Sequence, residues 1–308
     1  MSLLVVGSVA FDAIETPYGK TDKILGGAGT YIALAAKNFL EETKIVSVVG
    51  EDFPQSHIDL LKNHNSNVEG LQIIKGEKTF FWSGKYHQDM NSRDTLVTEL
   101  NVLGTFDPII PASYQGSEYL MLGNLSPQVQ SQVIERLTKR PKLIVMDTMN
   151  FWMDIALEDL MKTISMVDVL TINDEEARQL SGEWSLVKAA KKILTMGPKY
   201  LIIKKGEHGA LLFDTNHDVF FCPALPLEEV FDPTGAGDTF AGGFISYLAM
   251  VDNVNFDNMK KAIVYGSALA SLTVEKFGTE MLENLSKETL NNRIGQFQRL
   301  IDVQVEKL

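Results

Sequence analysis

The segment Phe231-Asp232-Pro233-Thr234-Gly235-Ala236-Gly237-Asp238-Thr239-Phe240-Ala241-Gly242-Gly243-Phe244 joins a tight turn to the start of an apolar helix. Pro233 stiffens the entry, while Gly235 and Gly237 let the backbone approach another molecule without Cβ obstruction. Phe240, Phe244, Tyr247 and Leu248 then recur at helical spacing, which predicts a helix over Ala236–Ala249 with one face buried. The first N–H groups of such a helix have no internal partner, and its dipole adds partial positive charge there. That end can cradle a phosphate or a developing oxyanion. Asp238, in the first turn, can accept a proton from an attacking hydroxyl. An anion cradle beside a base is the equipment of a phosphotransferase, although Thr234 and Asp238 would also serve a plain glycine turn as capping residues.

The rest of the chain fits an α/β protein. It has 308 residues, 45% hydrophobic and 22% charged, enough for a full core. A net charge of −12, from 28 basic and 40 acidic residues, argues against nucleic acid or an anionic membrane as partner. A lone cysteine, Cys222, excludes an internal disulfide framework, and the five histidines lack metal-ligand spacing. Met1–Gly7 has no basic n-region and reads as a first strand, not a signal peptide, and no apolar run is long enough to span a membrane. A cytoplasmic location is the expectation.

Strand-like runs at Leu3–Val6, Ile45–Val49, Tyr119–Leu122, Leu143–Asp147, Val169–Ile172 and Tyr200–Lys204 alternate with helix-like ones. Helices are expected at Thr30–Phe39, Pro54–Asn63, Pro127–Thr138, Asp174–Ser181, Leu186–Met196, Asn258–Phe277 and Glu288–Ile301. The alternation predicts a three-layer α/β/α fold around a mostly parallel sheet, closed by a hairpin at Gly209–Phe213 and Val219–Cys222. Two regions break the pattern: Phe11–Leu25 is extended, and from Thr79 to Leu103 the apolar period is two, through Phe80, Trp82 and Tyr86 and then Leu96 to Val102. Neither glycine run is a dinucleotide fingerprint, since Ile32 and Phe240 stand where glycine is required, and no GxxxxGK[ST] loop is present.

The DPTGAGDTFAGGF run closely resembles the C-terminal signature of the ribokinase-like (PfkB) carbohydrate kinases, and the resemblance extends over essentially the whole chain. The resemblance implies an ATP-dependent kinase acting on a hydroxyl, a CH₂OH, of a sugar or sugar-like molecule. The alternative is a nucleoside kinase of the same fold, and behind it a nucleotide- or sugar-binding regulator without turnover. It implies a single domain over residues 1–308, with a small β lid from about 11–25 and 79–103 that can also form a homodimer. Asp238 becomes the catalytic base, and the amides of Gly235, Ala236 and Gly237 the anion hole. Asp12 follows the first strand and would accept hydrogen bonds from sugar hydroxyls, for which a carboxylate offers two oxygens. Gly26 and Gly27 would lie against the acceptor, with Tyr31 where the family usually has Asn. Asn173 and Glu176 match an N-x-x-E element near the ATP phosphates, with Glu176 ordering Mg²⁺ through water. Gly206 and Gly209 match a K/T-x-G-x-x-G turn along ATP and are preferred over the neighbouring lysines Lys204 and Lys205. Asp232 and Thr234, with backbone oxygens near Lys276–Gly278, match a monovalent-cation site, which makes K⁺ activation an expectation. Asn124 and Asp147–Asn150 follow strands, where open α/β sheets bind ligands, but polar turns are common there.

Overall fold

Leu3, Leu4, Val5 and Val6 are all fully buried, and alternate side chains enter different cores. Leu3 and Val5 pack with Tyr31, Phe244 and Leu269, whereas Leu4 and Val6 pack with Val133, Leu160 and Ile193. A strand buried on both faces needs helices on both sides, which is the physical origin of the three layers.

The computed structural model describes residues 1–302, so the expected 1–308 span is followed to residue 302. The chain runs β1 (Leu3–Val6), β2 (Ala10–Thr16), β3 (Gly19–Lys20), β4 (Ile24–Gly26), α1 (Ala28–Ala36) and β5 (Thr43–Gly50). There follow α2 (Gln55–Asn63), β6 (Ser66–Ile74), β7 (Phe81–Tyr86), β8 (Arg93–Glu99), β9 (Tyr119–Leu122) and α3 (Pro127–Arg136). The middle holds β10 (Leu143–Asp147), α4 (Asn150–Ile155), α5 (Leu157–Ile164), β11 (Val169–Asn173), α6 (Asp174–Ser181), α7 (Leu186–Leu194) and β12 (Tyr200–Lys204). The hairpin β13 (Ala210–Asp214) and β14 (Val219–Cys222) precedes α8 (Ala236–Val251), α9 (Phe256–Thr273), α10 (Glu280–Glu283) and α11 (Lys287–Ile301).

The large sheet has nine strands in the order β14-β13-β12-β11-β10-β9-β1-β5-β6, parallel except at the β12-β13-β14 end. The second sheet, β3-β2-β7-β8 with β4 on β2, comes from the two regions that broke the alternation. Its β2 and β7 run parallel, placing Asp12 beside Trp82. Helix α8 packs on α1 and α9 through Gly242 and Gly243: a Cβ on Gly242 would stand 2.7 Å from the Ile32 carbonyl oxygen. Those two glycines of the signature therefore serve helix packing, where an added methyl costs about 1–3 kcal/mol by overpacking.

Several expectations need correction. Ser66–Ile74 is a strand that the sequence pattern did not indicate. It is an edge strand, interrupted by Gly70, with Ile73 about half exposed, so it lacks a clean apolar alternation. α4 and α5 are short helices in a stretch where the sequence pattern indicates none. The strand expected to reach Val102 ends at Glu99, because Asn101 turns to positive φ (45°) and donates its side-chain amide to the Thr79 carbonyl. Helix ends shift by a few residues: α1 begins at Ala28 and stops at Ala36, and α9 spans Phe256–Thr273 under an Asn255 cap. Among the described residues no helix is long and apolar enough to cross a membrane.

Candidate active site

Four strands and two helices bring their ends together here. β1 ends at Val6, β10 at Asp147, β11 at Asn173 and β12 at Lys204, while α1 begins after Gly27 and α8 after Gly235. Carboxyl ends of parallel strands are where open α/β sheets bind ligands. The second sheet contributes Asp12 from β2 and Trp82 and Tyr86 from β7, and Arg93 of β8 lies opposite Tyr86.

The signature turn is held from both sides. Asp232 accepts the Thr234 amide at 2.9 Å and the Gly278 amide at 2.8 Å, tying the turn to the loop after α9. Thr234 meets the Tyr86 hydroxyl at 3.1 Å, so the second sheet touches the turn directly. Gly235 adopts φ 74°, which favours glycine, and a Cβ there would lie 2.4 Å from Tyr31 Cε1 and Cζ. Tyr31 thus supports the turn with its ring. Its hydroxyl is buried without a hydrogen-bond partner, and burial together with Asp12, Asp232 and Asp238 pushes its pKa up.

Asp238 sits in the first turn of α8, partly buried. A helix N-terminus alone would lower its pKa. Here burial dominates, with Asp147 adding to it. Lys204, Arg93 and its own amide only partly oppose the rise, and the carboxyl is pushed up to about 7. This makes it a better base near neutral pH than a helix-end carboxylate would be.

Asp12 is 5% exposed and also stands at about 7, raised by burial against the Gly27 amide and further by Asp232 and Asp238. Gly26 makes room for it: a Cβ would fall 2.0 Å from Asp12 Oδ2. Gly27, at φ 90°, caps α1.

Asn173 and Glu176 form a reciprocal cap on α6, each accepting the other's backbone amide at 2.8 Å. The cap engages Oε2 of Glu176. The carboxyl, buried and beside Asp147, is raised to about 7 even though Lys204 pulls it down. Among the described residues no cluster of three or more His, Cys, Asp or Glu side chains is placed to hold a metal ion. One buried carboxyl at a strand end fits Mg²⁺ held through water and phosphate oxygens, because that ion keeps several waters.

Gly206 and Gly209 shape the turn after β12, at φ 53° and 89°. Gly209 is pressed on β14, where a Cβ would meet the Cys222 carbonyl oxygen at 2.1 Å. The tip of the β7–β8 hairpin reaches this turn: Asn91 donates to Glu207 Oε1 at 3.2 Å. Asn124 accepts from the Trp152 indole at 2.9 Å, and Asn150 binds the Phe151 amide, so these polar groups satisfy one another.

Composition and spacing did not point to Tyr86 or Arg93, and they ranked Lys204 below its glycines. Lys204 is instead largely buried and paired with Asp147. Its carboxylate neighbours Asp147, Glu176 and Asp238 hold its pKa up against burial. Its one legible signal was a lysine ending an apolar strand.

Comparison with known proteins identifies the family. A family model described as pfkB family carbohydrate kinase matches residues 1–285. Cytidine kinase of Thermococcus kodakarensis is 32% identical over 252 residues, covering 80% of this chain and 88% of that protein. Nucleoside kinase of Methanothermobacter thermautotrophicus is 26% identical over 309 residues, covering 90% and 91%. The crystal structure of Methanocaldococcus jannaschii nucleoside kinase, described as an archaeal member of the ribokinase family, matches with a TM-score of 0.76 at 22% identity. That match covers 96% of this chain and 98% of the other. The chain belongs to the pfkB family of carbohydrate kinases and is an ATP-dependent phosphotransferase with an alcohol acceptor.

Proposed function

We propose that Asp238 deprotonates a CH₂OH group of a ribosyl acceptor while the amides of Gly235, Ala236 and Gly237 stabilise the phosphoryl group in transit. The observation that carries this is a carboxyl raised to about 7 in the first turn of a helix whose N-terminal amides border the same cleft. As the acceptor oxygen attacks, its proton passes to Asp238, and the bond from the γ-phosphorus to ADP breaks with its electron pair on ADP. Phosphoryl transfer of this kind is catalysed mainly by positioning and electrostatics.

Asp12 orients the acceptor hydroxyls, with Gly26 and Gly27 allowing close approach and Tyr31 backing the anion hole. Asn173, Glu176, Gly206 and Gly209 border the nucleotide, and Glu176 orders Mg²⁺ through water. Mg²⁺, when bound, offsets phosphate charge. The second sheet acts as a lid that excludes water. Asp232 and Thr234 join a K⁺ site next to Gly278, and the exposed edge strand β8 offers a homodimer contact.

A nucleoside acceptor is favoured over a free sugar by one feature of the lid. Trp82 shares a face with Asp12 and keeps its ring partly exposed there, where a base can stack. Both sequence relatives above are nucleoside-directed by name. Phe81, by contrast, turns to the other face and packs against the core that holds Phe11 and Phe53.

The test is ADP release from Mg-ATP across sugars, sugar phosphates and nucleosides, with and without K⁺ at fixed ionic strength. Asp238→Asn serves as control, with an expected loss of at least about 10²-fold. Release that survives in Asp238→Asn would overturn the assignment of the base, and indifference to K⁺ would remove the cation site.

A further inference from the structure

Lys204 ends β12 in register with Asn173, the last residue of β11, and Asp147 ends β10 on the far side of β11. The lysine side chain therefore crosses the end of β11 to place Nζ 2.8 Å from Asp147 Oδ2 and 3.1 Å from Oδ1. On its way it passes along the first turn of α8. A Cβ built on Gly237 would lie 3.1 Å from Lys204 Nζ, 3.8 Å from Cε and 4.0 Å from Cδ. The side chains are 19% and 6% exposed, so this is a mostly buried ion pair with the lysine its more open member.

Such a pair is weak evidence for stability, because apolar residues of similar volume serve a core as well or better. Its place at the strand ends, touching the anion-hole turn, points to chemistry instead. An ammonium carries three N–H donors, and one carboxylate cannot use all three. The ammonium lies beside Gly237, 3.1 Å from where a Cβ would stand, and the Gly237 amide belongs to the turn proposed to cradle the phosphoryl group.

We propose that Lys204 is a catalytic residue whose ammonium donates to the phosphoryl group in transit over the start of α8, with Asp147 as the positioning residue that holds it there. The inference rests on the kinase function above. Lys204 keeps its proton throughout: the acceptor's proton goes to Asp238 and the departing electron pair to ADP. The ammonium contributes fixed positive charge where negative charge is transferred, at no reorganisation cost because Asp147 has already placed it.

The single variant Lys204→Met would strand a buried carboxylate and could unfold the chain, so the decisive protein is the double variant Lys204→Met/Asp147→Asn. It removes the pair without leaving a bare charge. Turnover is measured with the acceptor that wild type uses, and Mg-ADP binding by calorimetry, since ADP lacks the transferred group. If Lys204 acts on the phosphoryl group, turnover of the double variant falls by about 10²–10³-fold while the Mg-ADP dissociation constant stays within about threefold. If the pair only fills space, turnover stays within about tenfold of wild type and the proposal is overturned. A comparable loss of Mg-ADP affinity would also overturn it, because the pair would then shape the nucleotide site as a whole. A wild type that releases no ADP with any acceptor would overturn the kinase assignment itself, an outcome separate from these.

Discussion

Replacing Asp12 by Asn should stabilise the protein and weaken acceptor binding. Asp12 is 5% exposed, and burial, with Asp232 and Asp238 nearby, lifts its carboxyl from 3.8 to about 7. A raised carboxyl means that the folded state favours the neutral form. Stability from this group is therefore complete below about pH 4 and is lost progressively as pH rises through about 7. The rise of roughly three pH units corresponds to a ceiling of about 4 kcal/mol near pH 8, at ~1.4 kcal/mol per unit. Near pH 5.5 the same arithmetic leaves about 2 kcal/mol. Asn has no charge to bury and still presents an oxygen to the Gly27 amide, so the variant escapes the whole penalty. Denaturant unfolding of both proteins at the two pH values should show a stability gap in favour of Asp12→Asn that widens by about 2 kcal/mol toward pH 8. Removing the charge also relieves Asp238, which can only add to the gap. A gap that does not change with pH, or a variant less stable than wild type near pH 8, would refute the claim that this carboxyl is ionised at a cost. A gain in stability coupled to a raised acceptor KM is the usual exchange at a functional carboxylate.

Two other outcomes follow from the same geometry. If Asp238 is the base proposed above it must be ionised to act, and with its carboxyl at about 7 kcat/KM should fall about tenfold per pH unit below neutrality; a pH–rate profile flat down to about pH 5.5 would show that the base titrates elsewhere. Gly235→Ala should cost about 1–3 kcal/mol from the clash with Tyr31, plus about 1–2 kcal/mol for positive φ; since Tyr31→Ala empties a buried site of its own, the comparison is made within that variant, where Gly235→Ala should cost only the second part in denaturant unfolding.

Much of this molecule could be read from local sequence, for a definable reason. The glycine turn, its helix and Asp238 lie within one continuous segment, so glycine placement and apolar spacing were enough to find them. The same holds for the cap formed by Asn173 and Glu176, three residues apart. Lys204 and Asp147 are 57 residues apart and meet only because β12 and β10 flank β11. Tyr86 and Thr234 are 148 residues apart and meet only when the second sheet folds over the cleft. Asp238 shows the limit most clearly. A helix N-terminus by itself favours a depressed pKa, and the opposite result comes from burial and from Asp147, neither visible in its own segment. Edge strand β6 escaped notice for a different reason: a strand half open to solvent has no strict alternation to detect.

The charge arrangement also explains how a chain with a net charge of −12 can handle a polyphosphate. Asp12, Asp147, Glu176, Asp232 and Asp238 converge on one cleft, opposed by Lys204 and, from the second sheet, Arg93. Burial and mutual repulsion raise Asp12, Glu176 and Asp238 to about 7 each. Repulsion among these carboxylates is relieved by a cation placed between them, so this crowding favours a nucleotide that arrives with its magnesium. Arg93 reaches this cleft from the second sheet and, with Lys204, draws Asp238 and Glu176 back toward ionisation. The carboxylates that cost the fold stability near neutral pH are the ones that make the cleft select for a metal-bound phosphate.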